Sequence, residues 1–210
     1  MEHDDTNIPS ITRCYHLMAD MEMMDHIVAH SMQVSRVALL ITDSLNDGGA
    51  RLDRDLVRVA ALLHDITKTR SLRTDELHAQ TGEEYLIEQG YPRVGTIVGQ
   101  HVRLKEYDTT SLCREEEVVN YADKRVLHDE IVSLEERMRY ILEKYGSEEA
   151  SRRRILWLWR KTKELEEKFF STIPFSPGDL PAMLRDDDLS RQLMVYHETC
   201  RDWQTPSPLA

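Results

Sequence analysis

Apolar residues recur at steps of three and four along most of the chain, and this spacing limits the fold more than any other feature of the sequence. Between Met24 and Leu45, for example, Ile27, Val34 and Ile41 fall on one side of a helix. The strict alternation of apolar and polar residues that is typical of strands is almost absent. The sequence therefore predicts an all-α fold.

Glycine, proline and asparagine residues divide this pattern into separate helices. The stretch STIPFSPGDLP is rich in proline and predicts a linker before the last helix. We therefore expect one compact helical bundle with a C-terminal appendage. The predicted helices cover Met24 to Leu45, a segment from near Asp53 to His64, about Asp75 to Glu88, a short segment from Pro92 to His101, a segment around Val118 to Val126, two helices between Ser133 and Ser171, and a last helix near Arg185 to Trp203.

Acidic residues outnumber basic residues along the chain. The 27 Lys and Arg residues against 38 Asp and Glu residues give a formal net charge of −11. A protein that binds duplex nucleic acid needs a basic surface that replaces the counterions on phosphate. We therefore expect no nucleic acid duplex among the partners of this chain.

The cysteines and the N-terminal stretch predict where the protein works. Cys14, Cys113 and Cys200 are too widely spaced for a disulfide framework or a zinc ribbon. The acidic N-terminal stretch lacks the apolar core of a signal peptide, and no window reaches the length of a membrane span. The sequence therefore predicts a soluble protein of the reducing cytoplasm, with no membrane among its partners.

Side chains that bind metals occupy positions where a helix is expected to place leucine or valine. An ionised aspartate that is buried without a partner is strongly unfavourable, and buried histidines need partners for both ring nitrogens. A shared cation satisfies both needs, and a set without thiolate suits iron, manganese, zinc, cobalt or nickel. The four positions, each on the apolar side of a different predicted helix, are His30, His64, His101 and Asp123.

The order of these residues resembles the pattern H…HD…D of the HD-domain superfamily of metal-dependent phosphohydrolases. The stretches AHSMQVSRVA, AALLHDITK and VVNYADKR are similar to the first, second and last blocks of that family. The HD block of the family often continues as HDIG, whereas this chain has Thr67 in place of the glycine. The resemblance implies an HD-domain helical bundle with additional C-terminal helices. Residues 1–175 would form the HD-type domain, with its motif core at 24–126, and residues 176–210 a linker and the C-terminal helix.

The resemblance further implies a centre of two divalent transition-metal ions. Iron or manganese is favoured, with zinc, nickel, cobalt and magnesium as alternatives. The ligands implied for the first ion are His30, His64, Asp65 and Asp123, and those for the second are His78 and His101, with Asp65 shared.

The reaction implied is the hydrolysis of a phosphate ester or anhydride of a small nucleotide-like molecule by a metal-activated water. Asp65 and Lys68 are assigned to catalysis, and Lys68 also to the substrate phosphate. Arg103, Lys124 and Arg125 are further candidates for substrate binding. More loosely, the chain resembles the small bacterial HD-type hydrolases that split dinucleoside polyphosphates.

Two alternative functions stay open at the level of the sequence. One is a catalytically silent HD fold that binds a nucleotide or a partner protein, although the presence of every ligand argues against it. The other is a di-iron oxygenase on the same scaffold. The amphipathic segments after Ser133 also offer a surface for a homodimer. A second HD dipeptide, His128-Asp129, follows no apolar run and is interpreted as structural or substrate-facing.

Overall fold

The computed structural model describes residues 7–184 and 186–203. Helices dominate these residues, and the strands among them form one short hairpin, so the all-α prediction is confirmed. The helices are α1 (Ile11–Asp20), α2 (Asp25–Asp47), α3 (Arg54–Leu63), α4 (Lys68–Thr74), α5 (His78–Glu88), α6 (Pro92–Val98), α7 (Glu115–Lys124), α8 (Leu134–Tyr145), α9 (Glu149–Phe170), α10 (Leu180–Met183) and α11 (Asp186–Trp203), and the strands are β1 (Val126–Leu127) and β2 (Glu130–Ile131).

Helices α2 and α3 form the centre of the bundle. The long helix α2 is buried along most of its length and ends before Gly49, whose positive φ of 97° suits a residue without a side chain. Helix α3 begins after Asp53, whose carboxylate accepts a hydrogen bond from the Leu56 amide at 3.1 Å. Helix α7 packs against both, and α6 packs against α3 and α7. At the end of α3, the ring centroid of His64 consequently lies 5.3 Å from that of His30 in the N-terminal part of α2 and 5.0 Å from that of His101 after α6.

Several elements differ from the sequence-based prediction. Helices α1, α4 and α10 and the hairpin β1–β2 were not predicted, and α10 begins within the predicted linker. Helix α4 carries the polar sequence KTRSLRT, and two-residue strands are too short to show alternation. The prediction that a helix continues from Pro92 to His101 was wrong. Helix α6 ends at Val98, and His101 lies in the bend that follows.

The helices after the hairpin pack onto the same bundle. Helix α9 contacts α8 and α7, and α11 contacts α1 and α2. In the α1–α11 contact, the rings of Tyr15 and Tyr196 meet at 90° with their centroids 5.4 Å apart. Leu189, Tyr196 and Cys200 of α11 are buried in the common core. The division at residue 175 stays a prediction.

The hydropathy of the helices gives no indication of a membrane-spanning segment. Within the described part of the chain, no helix is both long enough and apolar enough to cross a bilayer. Cys14, Cys113 and Cys200 are all free thiols.

Candidate metal centre

The turn after α3 carries the first two ligand-type residues into the core. Leu56, Ala60 and Leu63 are buried on α3, so the helix runs inward and delivers its C-terminal end to the centre of the bundle. His64 follows as the C-cap, and a turn begins there. Both His64 and Asp65 are buried, with 0% and 1% of their surface exposed. The turn lets two adjacent side chains face the same interior space.

Backbone carbonyls fix the orientation of three buried histidine rings. A carbonyl only accepts hydrogen bonds, so the Nδ1 atom facing it must carry the hydrogen. In a neutral imidazole the Nε2 atom then keeps its lone pair, which is the form that binds a metal. The pairs are His30 with the carbonyl of His128, His64 with that of Ala61, and His101 with that of Val98, each at 2.7 Å.

Two atoms at the centre of this cluster are buried without a hydrogen-bond partner. They are Nε2 of His64 and Oδ1 of Asp65. A lone pair that is removed from water and left unpaired costs free energy, and native proteins rarely tolerate it. A cation beside each of these atoms supplies the missing partner. The donor atoms of the cluster are therefore sufficient to indicate a metal centre.

The first group of ligand atoms surrounds Oδ2 of Asp65 and Oδ1 of Asp123. Nε2 of His64 lies 3.4 Å from the first of these oxygens and 3.7 Å from the second. Nε2 of His30 lies 3.1 Å from Oδ1 of Asp123 and 4.0 Å from Oδ2 of Asp65. Because Nδ1 of His30 donates to a carbonyl, its Nε2 lone pair faces a carboxylate oxygen. That contact is repulsive unless a positive charge lies between them.

The second group surrounds the other oxygen of Asp65. Oδ1 of Asp65 lies 3.4 Å from Nε2 of His78 and 3.5 Å from Nε2 of His101. The two imidazole nitrogens are 3.1 Å apart. Ligands held about 2.1 Å from one ion at right angles are about 3.0 Å apart, so these separations suit a shared ion. Asp65 thus offers one oxygen to each group, which is the arrangement of a bridging carboxylate.

The protonation states of Asp65, Asp123 and His78 suit ligation at neutral pH. Burial alone would raise the pKa of the Asp65 carboxyl, but the Lys68 ammonium and the neighbouring imidazoles hold that pKa well below its usual range. Burial would likewise raise the pKa of Asp123, and the Lys124 ammonium and the neighbouring imidazoles hold it well below its usual range. Burial, with the nearby His101, lowers the pKa of His78 to about 4. Both carboxylates are therefore ionised at pH 7, and His78 is neutral.

Lys68 and Lys124 both lie at the cluster, on different sides of it. Nζ of Lys68 donates to Oδ2 of Asp65 at 2.6 Å, and 35% of its side chain is exposed. Nζ of Lys124 donates to Oδ2 of Asp123 at 3.0 Å and also to the carbonyl of His101. Lys124 is 8% exposed, so it ties α7 to the bend after α6. Lys68 is the one of these two lysines that borders solvent.

The structure does not bring Arg103 and Arg125 to the cluster. Arg103 is exposed and its guanidinium lies 5.4 Å from the ring centroid of Trp157 on α9. Arg125 is 2% exposed, and its hydrogen bonds are to residues outside the cluster. Its guanidinium donates to the carbonyls of Val132 and Pro177 and to the hydroxyl of Tyr121, each at 2.8 Å. Arg125 therefore joins α7 to the chain after it.

Sequence reasoning missed three contributors to the site. The carbonyl of His128, at the hairpin turn with a φ of 57°, orients His30. The guanidinium of Arg137 on α8 lies 3.9 Å from Oδ1 of Asp123. The hydroxyl of Thr67 donates to the carbonyl of His78 at 2.8 Å and lies 2.9 Å from the Thr81 hydroxyl. The second HD dipeptide and the departure from HDIG at Thr67 were visible in the sequence, but neither predicted these contacts.

Thr67 therefore replaces the usual glycine of the HD block with a link to α5. We expect Thr67→Val to lower the free energy of unfolding by about 1–3 kcal/mol, because the His78 carbonyl then loses its buried donor. Urea unfolding of the metal-free protein measures this. The matched control is Thr42→Val, whose buried hydroxyl has no hydrogen-bond partner and should be nearly neutral. Equal unfolding midpoints for the two variants would contradict the assigned role.

The comparison with known families agrees with this geometry. Residues 27–126 match the family model of the HD domain. The chain carries an HD domain. The HD domain extends from α2 to β1 and contains all six candidate ligands. HD domains belong to a superfamily of the metal-dependent phosphohydrolase type.

Two archaeal proteins are similar to the chain. An uncharacterized protein of Methanocaldococcus jannaschii is 25% identical over 147 residues, which are 64% of this chain and 86% of that protein. A tRNA (cytidine(56)-2'-O)-methyltransferase of Picrophilus torridus is 30% identical over 146 residues, which are 62% of this chain and only 40% of that protein. No solved structure shows significant similarity to the chain.

Proposed function

We propose that the chain is a metal-dependent phosphohydrolase that cleaves a phosphate ester or anhydride of a small nucleotide-like molecule in the cytoplasm. The observation that carries this proposal is the position of Asp65 between two groups of histidines. One of its carboxylate oxygens faces His30 and His64, and the other faces His78 and His101. A shared carboxylate that lies beside a buried imidazole nitrogen without a hydrogen-bond partner is an environment that suits a dinuclear hydrolytic centre.

The chemistry divides between the ions and the chain. When bound, divalent ions lower the pKa of a water molecule and stabilise negative charge on phosphoryl oxygens. Asp65 is ionised at neutral pH, and its two oxygens join the two groups of ligands. Lys68 sits at the open side with its ammonium beside Asp65, where it can neutralise a phosphate oxygen. Lys124 has both of its donor contacts inside the bundle, so we assign it to positioning of Asp123 and His101.

The net charge of the chain favours a small substrate. The net charge of −11 opposes binding of a long polyanion, whereas one phosphate group needs only a local surplus of positive charge. The Picrophilus protein acts on tRNA by its name, but the alignment covers only 40% of it. We therefore propose for this chain only a nucleotide-like substrate, and not tRNA. Dinucleoside polyphosphates belong to this class.

The deciding experiment measures metal content and hydrolysis on the same preparation. Protein purified without chelator is assayed by elemental mass spectrometry and then, loaded with manganese or iron, against nucleoside monophosphates, phosphodiesters and dinucleoside polyphosphates. Release of phosphate or of a nucleotide that depends on the metal supports the proposal. Metal-loaded protein that consumes oxygen with a polyol or phosphonate substrate and releases no phosphate would instead indicate the di-iron oxygenase. Bound nucleotide without turnover would indicate the silent binding module.

The two groups of ligands should lose metal separately. His78 belongs to the second group alone, so His78→Asn should remove one ion per chain and leave the ion held by His30 and His64 in place. Metal analysis after gel filtration checks this. His26→Asn is the matched control, because His26 is exposed on the first turn of α2 and should not alter the content. Loss of all metal from His78→Asn would contradict the assignment of two groups.

A further inference from the structure

Arg137 reaches the metal centre from outside the HD domain. Helix α8 lies beyond residue 126, yet NH2 of Arg137 is 3.9 Å from Oδ1 of Asp123, the same oxygen that faces Nε2 of His30. Only 14% of its side chain is exposed. Its Nε atom is buried and has no hydrogen-bond partner. A nearly buried guanidinium with an unused donor therefore borders the ligand atoms.

Local structure holds Arg137 in this position. Helix α8 begins with a capping box, in which the Ser133 hydroxyl accepts from the Glu136 amide and the Glu136 carboxylate accepts from the Ser133 amide. Leu134 and Met138 are 1% and 2% exposed, so they anchor the inner face of the helix on either side of Arg137. The guanidinium also lies 5.9 Å from the ring centroid of Tyr140. The arginine is thus placed by the packing of α8.

Neutralising Asp123 does not account for this arginine. Lys124 already donates to Oδ2 of Asp123 at 3.0 Å, whereas the distance of 3.9 Å from Arg137 exceeds that of a hydrogen bond. Bound cations would add further positive charge beside Asp123. Burying Nε of Arg137 without a hydrogen-bond partner costs free energy, so a site that retains this donor is consistent with a ligand that supplies the acceptor.

The local charge identifies the class of that partner. Three cations, Lys68, Lys124 and Arg137, face the two carboxylates Asp65 and Asp123, so this part of the site has a positive surplus in an acidic chain. A guanidinium presents a planar fork of donors that matches the oxygens of a phosphate group. Carboxylates of the site are already engaged by lysines and imidazoles. An anion with several acceptor oxygens is therefore the ligand that would pair with the donors of Arg137.

We propose that Arg137 binds the phosphoryl group of the substrate together with Lys68, and so makes α8 a functional part of the site. This inference rests on the proposed phosphohydrolase function, since it names a residue that would hold the reacting group. It assigns a substrate-binding role to a helix that lies outside the HD family match.

The test measures binding of inorganic phosphate to the manganese-loaded protein by titration calorimetry. Arg137→Gln should weaken phosphate binding about 10- to 100-fold, because charge-assisted hydrogen bonds are lost. Arg137→Lys should fall between the glutamine variant and the unmodified protein, since it keeps the charge without the fork. Arg139→Gln is the matched control, because Arg139 is exposed on the same helix. The metal content should be the same in all four proteins.

Three outcomes would overturn the proposal. They are unchanged phosphate affinity in Arg137→Gln, an equal loss in Arg139→Gln, and a loss of metal from Arg137→Gln, which would make the residue a support of Asp123 alone. The test is separate from the test of function. If the unmodified protein hydrolyses no phosphoester but loses phosphate affinity only on substitution of Arg137, the proposed function fails and the phosphate site stands. If hydrolysis is found and Arg137→Gln changes neither the phosphate affinity nor the rate, the proposed function stands and the role of Arg137 fails.

Discussion

Asp65→Asn is expected to disrupt both groups of ligands at once. The amide nitrogen replaces one of the two carboxylate oxygens, so one group loses its Asp65 oxygen and the other faces a neutral acceptor. Loss of a partner around a metal ligand already costs 10- to 100-fold in affinity, so we expect loss of a shared ligand to reduce metal-dependent hydrolysis by more than about 100-fold. Elemental analysis and a phosphatase assay on the same sample measure both effects.

Asp129→Asn is the matched control for this substitution. It alters the aspartate of the second HD dipeptide, which is exposed at the hairpin turn. Its metal content and its hydrolysis should equal those of the unmodified protein. Circular dichroism should show helical folding for both variants. An Asp65→Asn protein that keeps its full metal content and its turnover would refute the assignment of Asp65 as the bridging ligand.

Lys168→Met is expected to have the largest effect on stability. Glu117 of α7 is fully buried, and Nζ of Lys168 on α9 donates to both of its carboxylate oxygens at 2.9 and 2.7 Å. The same ammonium donates to the carbonyl of Asp108 at 3.0 Å. Arg114 lies 3.6 Å from the same carboxylate, but removing the closest partner of a buried ion pair still costs about 3–5 kcal/mol. For a chain of this size the Tm should fall by about 10 °C, measured by differential scanning calorimetry.

A surface pair and a double variant separate this cause from a general effect of losing a lysine. Lys163 and Glu135 form an exposed ion pair at 2.7 Å, so Lys163→Met should cost less than about 1 kcal/mol. Adding Glu117→Gln to Lys168→Met should restore part of the lost stability, because the buried charge is then removed. If Lys168→Met and Lys163→Met shift the Tm equally, the buried pair is not what joins α9 to the HD domain.

The sequence was sufficient for the parts of the site that depend on helical periodicity. His30 and Asp123 lie on buried helix faces, and His64 ends such a face, so their inward direction follows from the spacing of neighbouring apolar residues. The family pattern supplied His78, which begins a more exposed helix and has no such apolar context. The structure brings all of these side chains together with Asp65.

The parts that could not be predicted depend on where a helix ends or packs. Lys124 and Arg125 are adjacent, but α7 ends between them and the two side chains leave in different directions. Lys124 turns to Asp123, and Arg125 turns to the segment after α9. Arg137 shows no distinguishing spacing in the sequence, since its importance comes only from the packing of α8 beside Asp123. Such contacts are decided by tertiary structure, which single-sequence patterns do not contain.

The carbonyls that orient His64 and His101 belong to the final turns of α3 and α6. Each imidazole therefore closes the end of a helix with one nitrogen and faces the ligand cluster with the other. Fraying of either helix end would turn a ligand away, so occupancy of the centre and order of the helix ends are thermodynamically linked. A ligand that binds only the native state stabilises it by about 2.7 kcal/mol at a concentration 100 times its Kd. The lifetime of this protein in a cell should consequently follow the supply of its metal.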